Sequence, residues 1–448
     1  MNRIKLISTL GPACYDKEVL KQLVQNGLSV ARFNFSHADY QNSQKILQII
    51  KEINKENNFY LSTLLDTKGP EIRTHDFDGI VEIKKNSEIR IAFEEVLGNK
   101  DKFSLSYYDL YDNLQKGDLI FIDDGYLTLE IILKDEKNRE LIAKAQNTHF
   151  VKSRRGVNVP NIKLNIPYIS EKDKNDIIFA CEKKYDFLAL SFVRKAQDLL
   201  DVRKILDSQK NSSIKIISKI ENQEGLDNLD EIIELSDGVM IARGDLGIEI
   251  DEELVPYYQK EIIQKCLKAG KYVIVATQML ESMQKNPRPT KAEISDVYNA
   301  VLEGASATML SGETASGLYP IKAVSTMFAI QKEAEKHLNY DCFSSIYKPI
   351  NKEEILSFGI AQMCLKMDID AIVVDDKKYS ISLSKFRPKS LIFVKVENIS
   401  EATSLELNYA NIPFFNNEEL EIKLNILKKE SNKELFLLKI ENNCLKFE

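Results

Sequence analysis

Short runs of apolar, β-branched residues recur along the chain, and a helical pattern follows each of them. Eight such runs begin at intervals of about 24 to 35 residues, with one much longer gap. They start near Ile4, Ser29, Tyr60, Phe187, Ile214, Gly238, Tyr272 and Ala307. Runs that are apolar at successive positions are typical of parallel strands buried on both faces. Eight strand-then-helix units therefore predict an α/β fold built on a closed (β/α)8 TIM barrel.

The helical segments between these runs carry recognisable end signals. Asp16 can cap the helix after the first run, and Gly27 can end it. Ser170 can cap the helix that follows the long gap, and Pro320 can start the helix after the last run. These signals support helices that alternate with the predicted strands.

The gap between the third and fourth runs spans about 127 residues, which is far too long for a strand-to-helix connection. Apolar and polar positions alternate within it, as in strands buried on one face only. We therefore expect a small β-domain inserted after strand three, placed at the barrel mouth as a lid. The predicted domains are the barrel (1–70 and 156–336), the inserted β lid domain (71–155) and a C-terminal αβ domain (337–448).

Composition excludes several classes of function. The net charge of −7 leaves no basic surface for nucleic acid or anionic lipid. The six cysteines are scattered without a CxxC pair, which favours reduced thiols over disulfides. The N-terminal residues run straight into a strand-like segment, and no apolar stretch approaches 18 residues. We expect a cytoplasmic protein with no nucleic-acid partner and no membrane insertion.

Polar and charged residues cluster just past the ends of the predicted strands. Active sites of this fold lie at that C-terminal rim. Polar residues also mark ordinary loop starts, but a lysine and a glutamate two positions apart at the end of a buried strand are costly unless paired or bound. The rim residues include Thr9, Arg32, Asn34, Ser36, His37, Asp66, Thr67, Lys68, Ser191, Arg194, Lys219, Glu221, Arg243, Asp245, Thr277, Gln278, Ser311 and Glu313.

Glu221 and Asp245 end neighbouring strands and are candidate magnesium ligands. Two hard oxygen ligands with open positions suit Mg²⁺, which usually keeps water and substrate oxygens in its shell. Lys219 lies on the same side of its strand as Glu221, because side chains alternate. The alternative is a Lys219–Glu221 ion pair that merely closes the barrel top, but that leaves Asp245 unexplained.

Two glycines, Gly244 and Gly247, follow the sixth predicted strand. They let backbone amides turn toward a carboxylate or phosphate, although an ordinary tight turn has the same pattern. Arg32 and Arg73 flank the mouth and could supply positive charge for a phosphate. The sequence contains no GxxxxGK[ST] or GxGxxG motif and no zinc-spaced Cys/His cluster. A nucleotide, if bound, is therefore not held by a P-loop or a Rossmann turn.

Taken together, these segments resemble the pyruvate kinase family over about residues 1 to 335, and more weakly beyond. Several long motifs in the right order are far more specific than one short pattern. The matching stretches are Thr9–Pro12, Ala31–His37, Leu65–Thr74, Arg155–Pro160, Ser218–Asn222, Ala242–Gly247, Ala276–Met283 and Met309–Ala315.

The resemblance implies roles for individual residues. The catalytic residues would be Lys219, Thr277 and Arg32. The substrate would be bound by Ala242, Arg243, Gly244 and Asp245, through their amides, and by Thr277. The nucleotide would be bound by Asn34, His37, Arg73 and Arg155. Glu221 and Asp245 would hold Mg²⁺ (or Mn²⁺), and Asn34, Ser36, Asp66 and Thr67 would hold K⁺.

The implied activity is metal-dependent transfer of a phosphoryl group from phosphoenolpyruvate to ADP, giving pyruvate and ATP in the last step of glycolysis. Such a transfer needs positioning and positive charge more than covalent catalysis, which agrees with the rim residues. The family also implies a homotetramer. Glu71 falls where the family carries glutamate in potassium-dependent members and lysine in independent ones, so we expect potassium dependence.

Two other readings stay open at this point. One is a barrel lyase or aldolase that uses a magnesium-bound pyruvate enolate, although such an enzyme needs no nucleotide cover. The other is a catalytically silent binding protein that retains the fold, although Lys219, Glu221, Asp245 and Thr277 are all present.

One segment departs from the family pattern. Many members carry a Thr/Ser/Gly-rich loop in the C-terminal domain that cradles a sugar-phosphate activator. Here the corresponding loop begins Asp375-Asp-Lys-Lys378, without a glycine and with two aspartates that repel phosphate. We expect little or no activation by fructose bisphosphate.

Overall fold

The chain begins with strand–helix units, as the hydrophobic pattern predicts. This computed structural model describes residues 1–56, 60–160, 162, 165–209, 213–441 and 444–448. Asp16 caps the first helix by accepting hydrogen bonds from the amides of Glu18 and Val19. The elements are β1 (Lys5–Thr9), α1 (Lys17–Gln25), β2 (Val30–Asn34), α2 (Tyr40–Glu56) and β3 (Ser62–Asp66).

A β-rich insertion follows β3. Its main sheet has seven strands in the order β4-β12-β8-β9-β10-β6-β7, and β11 pairs with β5 in a second, two-stranded sheet. A separate apolar core, which includes Ile89, Phe103 and Leu129, stabilises it. Its elements are β4 (Ile72–Arg73), β5 (Val81–Ile83), β6 (Glu88–Ala92), β7 (Lys102–Ser104), α3 (Leu110–Asn113), β8 (Leu119–Ile122), β9 (Leu127–Asp135), β10 (Glu140–Ala145), β11 (His149–Val151) and β12 (Gly156–Asn158).

Five further strands then complete the barrel. Ser170 caps the first helix of this part in a capping box with Asp173, and Pro320 lies in the first turn of the last helix. The elements are α4 (Glu171–Lys183), β13 (Phe187–Leu190), α5 (Ala196–Ser208), β14 (Lys215–Ile220), α6 (Gln223–Asp227), α7 (Leu229–Leu235), β15 (Gly238–Ala242), α8 (Arg243–Glu249), α9 (Val255–Ala269), β16 (Tyr272–Ala276), α10 (Lys291–Glu303), β17 (Ala307–Leu310), α11 (Gly312–Ala315) and α12 (Pro320–Glu335).

The eight strands close in the order β1-β17-β16-β15-β14-β13-β3-β2, and all eight pairs are parallel. Alternate side chains fill the barrel interior, among them Val30, Leu64 and Ile217. Their neighbours, such as Leu6 and Ala31, pack against the surrounding helices instead. The predicted TIM barrel is confirmed, and burial on both faces explains why its strands are apolar throughout.

A C-terminal α/β unit packs on the N-terminal ends of the barrel strands. Its sheet has the order β20-β19-β18-β21-β22, and only β22 is antiparallel to its neighbour. The Tyr60 hydroxyl donates to Glu419 across the junction at 2.5 Å. The elements are α13 (Tyr340–Phe343), α14 (Lys352–Met367), β18 (Ala371–Val374), α15 (Lys377–Lys385), β19 (Leu391–Lys395), α16 (Ile399–Ser404), β20 (Asn411–Phe414), α17 (Asn417–Ser431), β21 (Leu437–Glu441) and β22 (Cys444–Phe447).

The barrel, the two sheets of the insertion that interrupts it and the C-terminal sheet are built from separate sets of strands. The division into three domains and its boundaries stay a prediction. Among the helices described, none combines the length and the apolar character that a membrane span requires.

Leu64 offers a test of the barrel interior. It is fully buried within the barrel, so Leu64→Ala should destabilise the protein by about 2–5 kcal/mol through lost burial and a cavity. Leu133→Ala is the matched control, because Leu133 is 54% exposed on the insertion. Urea denaturation of both variants measures the difference. Equal shifts of the unfolding midpoint would contradict a packed interior around Leu64.

Candidate active site

The strand geometry brings the charged rim residues together. Because side chains alternate along a strand, Arg32, Asp66 and Lys219 continue the inward-facing rows that begin with Val30, Leu64 and Ile217. These rows converge above the apolar layers of the barrel interior. All three charged residues are buried, so each must find partners of opposite charge at this end of the barrel.

Lys219 lies at the centre of the cluster. Its Nζ is 2.8 Å from Glu221 Oε1 and 3.2 Å from Asp66 Oδ1. Asp66 also bridges to Arg32, whose Nε donates to Asp66 Oδ2 at 2.7 Å. A chain of alternating charges therefore runs across the barrel top from Arg32 to Glu221. The Lys219–Glu221 ion pair that the sequence suggested is present, and it forms part of this larger cluster.

Two hydroxyl groups complete the contacts of the two cations. Lys219 Nζ donates to Ser191 Oγ at 2.7 Å, and Arg32 Nη1 donates to Thr9 Oγ1 at 2.7 Å. The amide of Phe192 donates to Glu221 Oε2 at 2.6 Å. Sequence reasoning placed Ser191 and Thr9 at the rim but gave them no role. Both residues lie two positions after an inward-facing residue of their strand, and this alternation could have predicted that they face the charge cluster.

Burial and neighbouring charges shift the pKa values of the cluster. Burial favours the neutral form of Asp66, but Arg32 and Lys219 outweigh it and hold the pKa of Asp66 below its usual range. Burial also opposes the charge on Lys219, yet the carboxylates of Asp66 and Glu221 raise its pKa above the normal value. Lys219 therefore stays protonated at neutral pH, while Asp66 stays ionised.

Glu221 and Asp245 behave differently from Asp66. Burial raises the pKa of Glu221 to about 7, and the nearby Asp245 charge adds to the shift. Burial likewise raises the pKa of Asp245, with Asp124 and Asp66 adding repulsion. The three carboxyl groups outnumber the two cations, Lys219 and Arg32, and the ionised forms of Glu221 and Asp245 are the ones that burial and mutual repulsion oppose.

A divalent cation beside Glu221 and Asp245 would offset the burial and repulsion that oppose their ionisation. Across the described ranges of the chain, no three histidine, cysteine, aspartate or glutamate side chains are grouped to hold a metal. A cation held by these two carboxylates would therefore complete its shell with water or substrate oxygens, as Mg²⁺ does. The donor set and the charge balance both suit that ion.

A second group of oxygens lies beside the charge cluster. Asn34 and Asp66 are register partners on β2 and β3, and Thr67 follows Asp66 directly. The amide of Ser36 donates to Asn34 Oδ1 at 3.1 Å, which folds the loop after β2 back over the strand end. The four residues of the expected potassium site therefore share one part of the rim.

The loop after β16 is strained at Thr277. Thr277 and Gln278 have φ angles of 62° and 52°, and a left-handed conformation is a clear outlier for a β-branched residue. Thr277 Oγ1 accepts a hydrogen bond from the Gly244 amide at 2.8 Å. Such strain persists only where the surroundings enforce it, and it is concentrated at functional sites.

Arg243 holds the strained loop in this conformation. Its guanidinium pairs with both carboxylate oxygens of Asp296 at 2.7 Å, and it also donates to the carbonyls of Thr277 and Gln278. The Arg243 side chain is therefore engaged in holding the loop. The backbone amide, which the guanidinium contacts do not use, stays the candidate for substrate.

A cleft of about 370 Å³ separates the rim from the insertion. His37, Arg73 and Arg155 line it, together with Asp124 and Asp245. Arg73 is paired with Glu71 at 2.6 Å. A second, larger cleft adjoins the first and shares Asp124 and Asp245 with it. Three of the four residues expected to bind the nucleotide therefore line this cleft. The fourth, Asn34, lies outside the lining and belongs to the oxygen group of the expected potassium site.

Comparison with known proteins agrees with this geometry. A family model for the pyruvate kinase barrel domain matches residues 1–324. The chain belongs to the pyruvate kinase family.

Family members align along most of the chain. It is 43% identical to the pyruvate kinase of Staphylococcus saprophyticus over 419 residues, which cover 92% of this chain and 72% of the relative. The Clostridium perfringens pyruvate kinase is also 43% identical, over 92% of this chain and 88% of its own length. A crystal structure of the pyruvate kinase from Cryptosporidium parvum superposes with a TM-score of 0.91 at 36% identity, covering 100% of this chain and 96% of that one.

As a member of this family, the protein is a phosphotransferase of glycolysis, as the sequence predicted. The lyase or aldolase alternative is not favoured. The roles of the individual site residues stay predictions.

Ser191 gives a test of the charge cluster. Ser191→Ala removes an acceptor from Lys219 Nζ, and a hydrogen bond to a charged group contributes about 1.5–3 kcal/mol. We expect kcat to fall about 10- to 100-fold with little change in KM. Ser8→Ala is the matched control, because Ser8 faces the helix layer and its buried hydroxyl has no hydrogen-bond partner among the described residues. Steady-state kinetics that show equal losses in both variants would contradict a positioning role for Ser191.

Proposed function

We propose that this pyruvate kinase family member transfers the phosphoryl group of phosphoenolpyruvate to ADP, giving pyruvate and ATP. The observation that carries the proposal is the buried Lys219, held between Asp66 and Glu221 at the barrel rim. Its charge is also stabilised by Asp245, which lines the cleft below the insertion. A fixed positive charge in a site shielded from water is what a transferring phosphoryl group requires.

Glu221 and Asp245 would hold Mg²⁺ or Mn²⁺, whose charge would stabilise their ionised forms. When bound, the divalent cation neutralises charge on the substrate and phosphoryl oxygens. The carboxylates themselves keep the ion beside Lys219, since Glu221 contacts both the lysine and the Phe192 amide.

Lys219 and Arg32 would stabilise the phosphoryl group. The raised pKa of Lys219 keeps its charge in place throughout the reaction. Hydrogen bonds to Ser191 and Thr9 orient the two cations without neutralising them, so both can still attract phosphoryl oxygens.

The substrate carboxylate would meet the backbone amides from Ala242 to Asp245, beside the Thr277 hydroxyl. Thr277 Oγ1 already accepts from the Gly244 amide and donates to the Ala276 carbonyl, so its position is fixed on both sides. After transfer the enolate must take a proton at carbon, and Thr277 would organise the path of that proton through water.

The nucleotide would occupy the cleft between rim and insertion. His37, Arg73 and Arg155 line this cleft, and the two guanidinium groups would meet the phosphates of ADP. Closure of the insertion would exclude water, which otherwise weakens every charge interaction in the site. By family resemblance we further propose a homotetramer.

The loop that begins at Asp375, after β18, offers little to bind a sugar-phosphate activator. Asp376 caps α15 by accepting from the Lys378 amide, and Lys377 pairs with Glu401 at 2.7 Å. The start of α15 and the Lys377 ammonium group therefore already have partners. Asp375 and Asp376 add negative charge that would repel a phosphate. Little or no activation by fructose bisphosphate stays our prediction.

A coupled assay for pyruvate, with and without ADP, tests the proposed reaction. Pyruvate should form only when phosphoenolpyruvate, ADP and Mg²⁺ are all present. Lys219→Met should lower kcat about 100- to 1,000-fold, the loss typical of one preorganised charge-stabilising group. Lys215→Met is the matched control, because Lys215 faces the same way at the opposite end of β14. An active Lys219→Met variant, or pyruvate formation without ADP, would refute the proposal.

Potassium dependence is a separate prediction. A monovalent cation among Asn34, Ser36, Asp66 and Thr67 would be favoured by the nearby Glu71 carboxylate. We expect higher activity in K⁺ than in Na⁺, and little in tetramethylammonium at equal ionic strength. Glu71→Lys should reduce this dependence, because an ammonium group then supplies the positive charge. Full activity in potassium-free buffer would contradict the prediction.

A further inference from the structure

Helix α8 presents one face to the insertion. Asp245 and Glu249 are four residues apart on this helix, so they lie one turn apart on the same side. Asp245 belongs to the candidate metal site, and both residues line the two clefts between barrel and insertion. The position of this face therefore affects the metal site and the nucleotide cleft together.

The insertion makes one hydrogen bond to that face and approaches it at a second point. Asn158, the last residue of β12, donates from Nδ2 to Glu249 Oε1 at 2.6 Å. In the turn after β8, Gly125 lies close enough to Ile248 that a Cβ there would be 3.8 Å from Ile248 Cγ2. Strand β12 pairs with β8, with Asn158 opposite Phe121. The hydrogen bond and the close approach therefore both come from this pair of strands.

The turn that carries Gly125 also carries Asp124. This residue lines both clefts together with Asp245 and Glu249. The turn therefore lies over the same face of α8 that Asn158 contacts.

Helix α8, which carries Glu249, is held firmly on the barrel. Leu246 is fully buried, and a Cβ on Gly247 would lie 3.4 Å from Val255 of α9. The first residue of α8, Arg243, is fixed by its two bonds to Asp296. Helix α8 therefore offers Glu249 as a fixed acceptor.

We propose that Asn158 is a positioning residue, which seats the insertion on the face of α8 that carries Asp245 through its hydrogen bond to Glu249. This inference rests on the proposed function only for its effect on catalysis. The bond holds the insertion at a fixed distance from α8 and so sets the width of the nucleotide cleft, which both residues line. The substrate groups around Lys219 and Thr277 belong to the barrel alone and are independent of it.

Kinetics of three variants test the catalytic consequence. Asn158→Ala and Glu249→Ala should each lower kcat/KM for ADP about tenfold, while KM for phosphoenolpyruvate stays unchanged. Glu249→Gln should retain activity, because its amide oxygen still accepts from Asn158. The double variant should lose no more than either single variant, since both remove the same bond. Additive losses, or equal effects on both substrates, would overturn the proposal.

Hydrogen exchange tests the link without any assay of activity. In the ligand-free full chain, Asn158→Ala should speed amide exchange in residues 119–127 and 243–249. Asn113→Ala is the matched control, since Asn113 is exposed on α3 within the insertion, and it should change neither segment. Unchanged exchange in Asn158→Ala would refute the link even if the chain makes pyruvate. Faster exchange would support the link even if the proposed reaction failed.

Discussion

The charge balance at the top of the barrel is the constraint on which the rest of the site depends. Two buried carboxyl groups, Asp66 and Glu221, and the half-buried Asp245 lie beside two buried cations, Arg32 and Lys219. Charges interact strongly where water is excluded, and a buried charge that loses its partner is heavily penalised. Each of these side chains therefore requires the others to remain in place. A bound cation is favourable because it would stabilise the ionised forms of Glu221 and Asp245, which burial and mutual repulsion oppose.

The parallel barrel makes this arrangement possible. Strand alternation directs every second side chain inward, and closure of eight strands brings those side chains to one axis. Apolar residues such as Leu64 and Met240 fill the layers below. The same alternation places polar groups above them at the C-terminal ends. An apolar floor below the charges keeps the dielectric low, so that few charged groups exert a large effect.

Helix α8 joins the barrel site to the insertion. Its first turn carries Gly244 and Asp245, and its last residue, Glu249, receives the bond from Asn158. A short, well-packed helix transmits position better than a loop, because its backbone hydrogen bonds fix the spacing of the residues along it. The metal site and the nucleotide cleft are thereby related through a single element.

The sequence by itself determined the eight strands, the helix caps at Asp16 and Ser170, the insertion after β3 and the charged residues of the rim. These features depend on local periodicity or on short motifs, which a linear pattern carries directly. Only the tertiary structure decided which side chains touch: Ser191 on Lys219, Asp296 on Arg243, and Asn158 on Glu249. Such contacts join residues 28 to 91 positions apart. They depend on strand closure and on the left-handed backbone at Thr277, and neither has a periodic signal in the chain.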